Sequence, residues 1–155
     1  MHLTFGDLNI TIKSGALITL LLMLPNVVWM VLPKAEADKP ASEPLWLTIV
    51  ENVSRMATLI LPFFFSLDVH KKFSMPVMIG MGLTLAIYYG CWIRYFTGGR
   101  VAALLSAPFL GIPVPMAAAP IAFLILSSYL MSSWWMFGAS LLFGVAHIWI
   151  SALTL

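Results

Sequence analysis

Charged residues are scarce in this chain of 155 residues: Asp, Glu, Lys and Arg together make up 9%. Hydrophobic residues make up 61%, and the mean hydropathy is +0.99. A soluble domain of this size and composition would leave large apolar patches in contact with water. The composition therefore predicts an integral membrane protein, with the lipid bilayer as its first partner.

The sequence also lacks the residue groups that mark several other protein classes. A single cysteine, Cys91, excludes an internal disulfide and a CxxC metal or redox motif. The net charge of +2 comes from scattered residues without a basic run, so nucleic acid is not expected as a partner. The ten methionines are spread over nearly every apolar segment, which favours packing over a soft-metal path. No metal site and no cofactor is predicted.

Apolar segments of about transmembrane length recur along the chain. A transmembrane helix needs about 20 predominantly apolar residues. The sequence predicts an all-α integral membrane protein, a single-domain bundle of five transmembrane helices at about residues 14–32, 45–66, 76–95, 115–131 and 135–153. Five spans put the termini on opposite sides of the membrane, and a bacterial cytoplasmic membrane is the expected location. Lys and Arg are divided almost evenly between the two sides, so the orientation stays open.

The apolar stretch at residues 101–131 is too long for one ordinary span, and prolines interrupt its first half. Proline inside a helix removes a hydrogen bond and costs about 3 kcal/mol. We therefore expect a proline-broken half-helix over residues 101–114 before the fourth span, non-helical between about Pro108 and Pro115. Such broken helices near a polar site are typical of transporters.

Two features precede the second span. Residues 1–13 mix polar and apolar positions and are expected to form a short surface segment, such as an interfacial helix.

Within the first span, Pro25 frees a carbonyl one turn back, and the Asn26 amide can hydrogen-bond to a neighbouring helix.

Two charged residues lie inside the second span. Arg55 falls at the midpoint of residues 45–66, and Glu51 lies about one helical turn before it. A lone charge at that depth costs roughly 2.5 to 3.5 kcal/mol on insertion scales. We therefore expect Glu51 and Arg55 to pair and to face the bundle interior. The alternative is an ion pair that only stabilises the bundle.

Other polar residues are predicted at a similar depth. Successive spans run in opposite directions and rise about 1.5 Å per residue, which places Asn26, Tyr88, Glu51 and His147 in the same half of the bilayer. A buried polar group without a partner costs about 1–3 kcal/mol. We therefore expect Glu51 and His147 to approach one another across the second and fifth spans. Ser140 and Gly144 are expected to serve helix packing.

These residues predict a polar pocket inside the membrane that binds or passes a small amphipathic or anionic molecule. Arg55 would meet the ligand and Glu51 would hold Arg55 in place. The predicted ligand-binding residues are Arg55, Glu51, Asn52, Asn26, Tyr88, His147 and Arg94.

Two other function classes stay open. One is a membrane-embedded enzyme that acts on a lipid, with His147 as general base and Glu51 as its partner, although the sequence has no HExxH or GxSxG motif. The other is a non-catalytic subunit or regulator of another membrane protein. The small size favours a homo-oligomer or a partner membrane subunit in each case.

Overall fold

The structure, a computed structural model, describes residues 2–5, 8–11, 15–32 and 44–153. The regular secondary structure in this part of the chain is helical apart from two short strands. The elements are β1 (His2–Phe5), β2 (Leu8–Thr11), α1 (Ala16–Val31), α2 (Leu45–Ile60), α3 (Ser74–Thr97), α4 (Ala103–Ser106), α5 (Pro115–Met131) and α6 (Trp134–Leu153). Residue 14, the predicted start of the first span, lies outside the described residues.

Three helical segments are long and apolar enough to cross a membrane, which indicates membrane insertion. They are Leu45–Phe64, Ser74–Thr97 and Trp134–Leu153. The first of these includes a turn of 3-10 helix, Leu61–Phe64, which continues α2 where Pro62 prevents a regular α-helix. The helices α1 and α5 are equally apolar but shorter, with 16 and 17 residues.

The described part of the N-terminal segment consists of two paired strands, so the expected interfacial helix is wrong. β1 and β2 pair antiparallel, with Phe5 opposite Leu8 and Leu3 opposite Ile10. Apolar and polar residues alternate along both strands, and this period of two is typical of a β-strand.

The bundle is built around α5. Its neighbours are α3 on one side and α6 on the other, and α2 lies beyond α6. Ala117 and Ala119 are buried in α5, and such small side chains let neighbouring helices approach closely. The larger buried side chains Phe123 and Leu124 fill the centre of the core. As a consequence, α2 lies at the periphery and leaves much of its surface exposed.

The stretch at residues 101–131 is divided by a non-helical segment. The short helix α4 ends at Ser106, and α5 begins at Pro115. Residues 107–114 between them are not helical, and this segment contains Pro108 and Pro113. Proline at the first position of α5 is favourable, because the missing N–H would have no helical partner there.

Helix α1 continues through Pro25, and a side chain of α3 donates the hydrogen bond that this proline cannot supply. Pro25 has no N–H, so the carbonyl of Leu21 four residues earlier loses its helical donor. The Tyr89 hydroxyl donates to that carbonyl at 2.8 Å. Next to it, the Asn26 side-chain amide donates to the Tyr88 hydroxyl at 2.7 Å. Both predictions for this pair of residues in α1 are confirmed.

Candidate functional site

Three ionisable side chains meet where α2 packs against α6. The Glu51 carboxylate oxygen Oε1 accepts a hydrogen bond from Arg55 Nη2. His147 Nδ1 lies 2.7 Å from the same oxygen, at hydrogen-bond distance. The predicted pairing of Glu51 with Arg55 and the predicted approach of Glu51 and His147 are both confirmed.

The antiparallel packing of α2 and α6 brings these residues to one height. Glu51 lies six residues after the start of α2 at Leu45, and His147 lies six residues before the end of α6 at Leu153. Each is therefore about 9 Å from its helix end. The rings of Trp46 and Trp149 meet edge to face, 6.0 Å apart, and mark the same end of both helices.

An aromatic ring completes the group, and the sequence analysis missed it. Phe143 stacks on the His147 imidazole, with ring centroids 5.0 Å apart and an angle of 19° between the planes. The Arg55 guanidinium carbon lies 5.7 Å from the centre of the same ring, within reach of a cation–π interaction. Phe143 precedes His147 by four residues, and this spacing places both on one helix face. We call Glu51, Arg55, Phe143 and His147 the α2–α6 cluster.

The members of the cluster differ in their exposure. The Glu51 side chain is 7% exposed, the His147 side chain 27% and the Arg55 side chain 41%. The expectation that both Glu51 and Arg55 face the bundle interior is therefore correct only for Glu51. Four residues turn a helix by about 400°, so Arg55 is displaced by about 40° from Glu51 towards the rim of the helix contact. The accessible groups of the cluster are therefore the Arg55 and His147 side chains.

Asn52 does not join the cluster, although it was predicted as a binding residue. It is exposed on α2, and its side chain makes no hydrogen bond to another residue in the described ranges. The reason is helical geometry: one residue turns the helix by about 100°, so Asn52 cannot share the direction of Glu51.

Asn26 and Tyr88 form a separate polar contact between α1 and α3. Besides accepting from Asn26, the Tyr88 hydroxyl donates to the carbonyl of Leu22 at 3.2 Å. Within the described chain neither residue hydrogen-bonds to Glu51, Arg55 or His147. Their similar predicted depth therefore does not correspond to a shared site.

Arg94 holds the non-helical segment in place. Its Nη2 donates to the carbonyls of Leu104 and Ala107 at 2.9 and 2.8 Å, and its Nη1 donates to that of Pro108 at 2.9 Å. Its guanidinium carbon lies 5.2 Å from the centre of the Phe109 ring. Arg94, which was predicted as a ligand-binding residue, therefore lies apart from the cluster, and its side chain satisfies carbonyls that the broken helix leaves without helical donors.

Two open grooves in the bundle are apolar and lie outside the cluster. One, of about 380 Å³, lies between α1 and α3 and is lined by Leu21, Gly82, Leu85, Ala86 and Tyr89. The other, of about 600 Å³, lies between α5 and α6 and is lined by Ile121, Ile125, Leu141, Gly144, Val145, Ile148, Trp149 and Ala152. The ionisable residues of the cluster line neither groove. At Gly144 an added Cβ would come within 2.7 Å of Ile121, which agrees with the packing role expected for this residue.

The geometry allows the cluster two kinds of chemistry. An exposed guanidinium next to an imidazole can bind an anionic group, and an imidazole held by a buried carboxylate can accept a proton. Among the described residues no group of three or more His, Cys, Asp or Glu side chains could hold a metal ion. Comparisons of the chain with family models, with curated proteins and with solved structures gave no match. The function is therefore inferred from the geometry of the cluster.

Proposed function

We propose that this protein binds or passes a small amphipathic or anionic molecule, and that the α2–α6 cluster is its binding site. One observation carries the proposal: the carboxylate of Glu51 is buried, whereas two-fifths of the Arg55 side chain is exposed. A ligand that reaches the cluster meets hydrogen-bond donors and a positive charge. An anionic group fits that surface.

The contacts of Arg55 leave capacity for a ligand. A guanidinium carries five N–H donors, and the bond to Glu51 engages Nη2. Glu51 also balances the charge of Arg55 while the site is empty. A carboxylate or phosphate of the ligand can then accept hydrogen bonds from the remaining N–H groups of the Arg55 guanidinium, whose planar geometry suits such groups.

The proposed position of the site is deep in the bilayer. We place five helices across the membrane, adding α1 and α5 to the three longer segments, so that the termini lie on opposite sides. At about 1.5 Å per residue α1 and α5 span about 24 and 26 Å, and local thinning of a bilayer accommodates a small mismatch with its roughly 30 Å core. Arg55 lies ten residues into α2, about 15 Å from the helix start. A ligand at this depth has to be soluble in lipid.

A second candidate function is supported by the bond between Glu51 and His147. A carboxylate that orients an imidazole is the arrangement of a general base, and His147 keeps about a quarter of its side chain exposed. The protein would then be an enzyme that acts on a membrane lipid. The two functions share the anion contact at Arg55, and they differ in whether His147 moves a proton.

Binding of a fluorescent fatty acid tests the proposal. We expect purified protein in detergent micelles to bind cis-parinaric acid, and Arg55→Gln to weaken the affinity about tenfold or more, because a hydrogen bond to a charged group contributes about 1.5–3 kcal/mol. The methyl ester of the same acid keeps the chain and removes the charge. Its affinity should be low for the wild type and unaffected by Arg55→Gln.

A matched control separates the site from general charge effects. Lys72→Gln removes one positive charge from the segment between Leu61–Phe64 and α3, where the Lys72 ammonium lies over the Phe73 ring. It should leave the affinity within about twofold of the wild type. Equal binding of the acid by the wild type and by Arg55→Gln would refute the proposal.

A further inference from the structure

The outward face of α2 carries apolar residues at the spacing of a coiled-coil seam. Leu45, Ile49, Asn52 and Met56 follow at steps of four, three and four residues. Leu45, Ile49 and Met56 are each at least half exposed, and Asn52 is exposed as well. Alternating steps of three and four keep these side chains on one stripe of the helix. We call these four residues the α2 seam.

The α2 seam points away from the rest of the bundle. The buried residues of α2 are Leu47, Glu51, Ser54 and Thr58, which repeat at steps of four, three and four on the opposite side of the helix. That side packs against α6. Helix α2 therefore has a buried face and an exposed face, each with residues at steps of three and four, and the described bundle covers only the buried face.

Asn52 lies in the middle of the seam, and its side-chain amide has no hydrogen-bond partner in the described ranges. It follows the start of α2 by seven residues, so it lies about 10 Å along the helix, inside the hydrocarbon core of a membrane. Lipid chains cannot hydrogen-bond to its amide, and Asn side chains in membrane helices commonly bond across a helix contact. The position of Asn52 points to a polar group on another helix.

We propose that the α2 seam packs against the α2 seam of a second copy of this chain, with the two Asn52 amides hydrogen-bonded to each other. Two copies in one membrane with the same orientation are related by a two-fold axis along the membrane normal, so each residue faces its own equivalent at the same depth. An amide carries both donors and an acceptor, and it is therefore complementary to itself. A single Asn at a seam position also fixes the register of parallel coiled coils.

The charges near the seam are compatible with this contact. Arg55 lies beside the seam, and in a dimer two copies of this residue would flank it. Each guanidinium is already bonded to Glu51 of its own chain, which limits the repulsion between the two. No other residue on α2 carries a charge.

Cysteine cross-linking in native membranes tests the proposal. Cys91 is fully buried and is replaced first, as Cys91→Ala, to give a background without cysteine. In that background we expect Asn52→Cys and Met56→Cys to form disulfide-linked dimers on oxidation with copper phenanthroline. Val50→Cys is the matched control, because Val50 is exposed to 38% at a similar depth but lies off the seam. It should give at least severalfold less dimer.

A second measurement tests the role of the amide. Asn52→Ala should raise the dissociation constant of the dimer, measured by energy transfer between labelled copies in vesicles, by about tenfold, the scale of an interhelical hydrogen bond in membranes. Asn52→Gln keeps an amide and should dimerise more strongly than Asn52→Ala. Equal cross-linking at Val50, no dimers from the seam cysteines, cross-links only to a different protein, or a dimer insensitive to Asn52→Ala would each overturn the proposal.

Discussion

Replacing Glu51 by leucine should destabilise the protein mainly through Arg55. The substitution leaves the guanidinium in the middle of α2 without its carboxylate partner. Breaking a fully buried ion pair costs about 3–5 kcal/mol. Because 41% of the Arg55 side chain is exposed, part of that cost is relieved, and we expect a loss of about 2 kcal/mol. Removing both charges should cost less than removing the carboxylate alone, since two apolar side chains suit the membrane.

The double-mutant cycle Glu51→Leu with Arg55→Leu measures this coupling. Unfolding can be followed by circular dichroism as sodium dodecyl sulfate is added to protein in dodecyl maltoside micelles. We expect the double variant to be more stable than Glu51→Leu by at least about 1 kcal/mol. A double variant as unstable as Glu51→Leu would refute the reasoning, because the cost would then come from the lost His147 contact or from packing.

Three further predictions concern the contacts that shape the bundle. Tyr89→Phe should lower the free energy of unfolding by about 1 kcal/mol in the wild type and by almost nothing in Pro25→Ala, because alanine returns the helical donor to the Leu21 carbonyl. Unfolding of the wild type, the two single variants and the double variant measures this difference. Gly15→Ala should destabilise by about 1–3 kcal/mol in the same assay, because the new Cβ would come within 2.4 Å of the backbone oxygens of Pro62 and Phe65, at the end of the segment Leu45–Phe64. Arg94→Gln should speed hydrogen exchange in residues 104–114 and leave exchange in α6 unchanged, as mass spectrometry of peptides would show.

Helical periodicity and depth predicted the centre of the site from the sequence. The four-residue spacing of Glu51 and Arg55 places both side chains near one helix face, and the height comparison brought His147 to the same level. The carbonyl that Pro25 leaves without a helical donor was predictable for the same reason, because a residue without an N–H cannot donate to the carbonyl four residues before it. Such predictions need only the rise and rotation of a helix.

The structure places two predicted binding residues, Asn52 and Arg94, outside the cluster, because side-chain direction and tertiary contacts decide their positions. Asn52 was grouped with Glu51 in one polar stripe at helical spacing, but a step of 100° per residue places it at the edge of that stripe, away from the direction of Glu51. The role of Arg94 depends on where residues 104–108 return to α3, and no local pattern contains that information. The two paired strands had a signal that was not used: Leu3 and Phe5 alternate with polar residues before Gly6-Asp7, a pair typical of tight turns.

Native mass spectrometry of protein purified from membranes tests most directly whether Arg55 holds an anionic molecule at the α2–α6 cluster. We expect the wild type to retain a small acidic lipid or metabolite as a discrete mass increment. The increment should persist in Lys72→Gln and disappear in Arg55→Leu, with the helical content of all three proteins unchanged. The same increment at equal occupancy on Arg55→Leu would contradict the proposed role of Arg55.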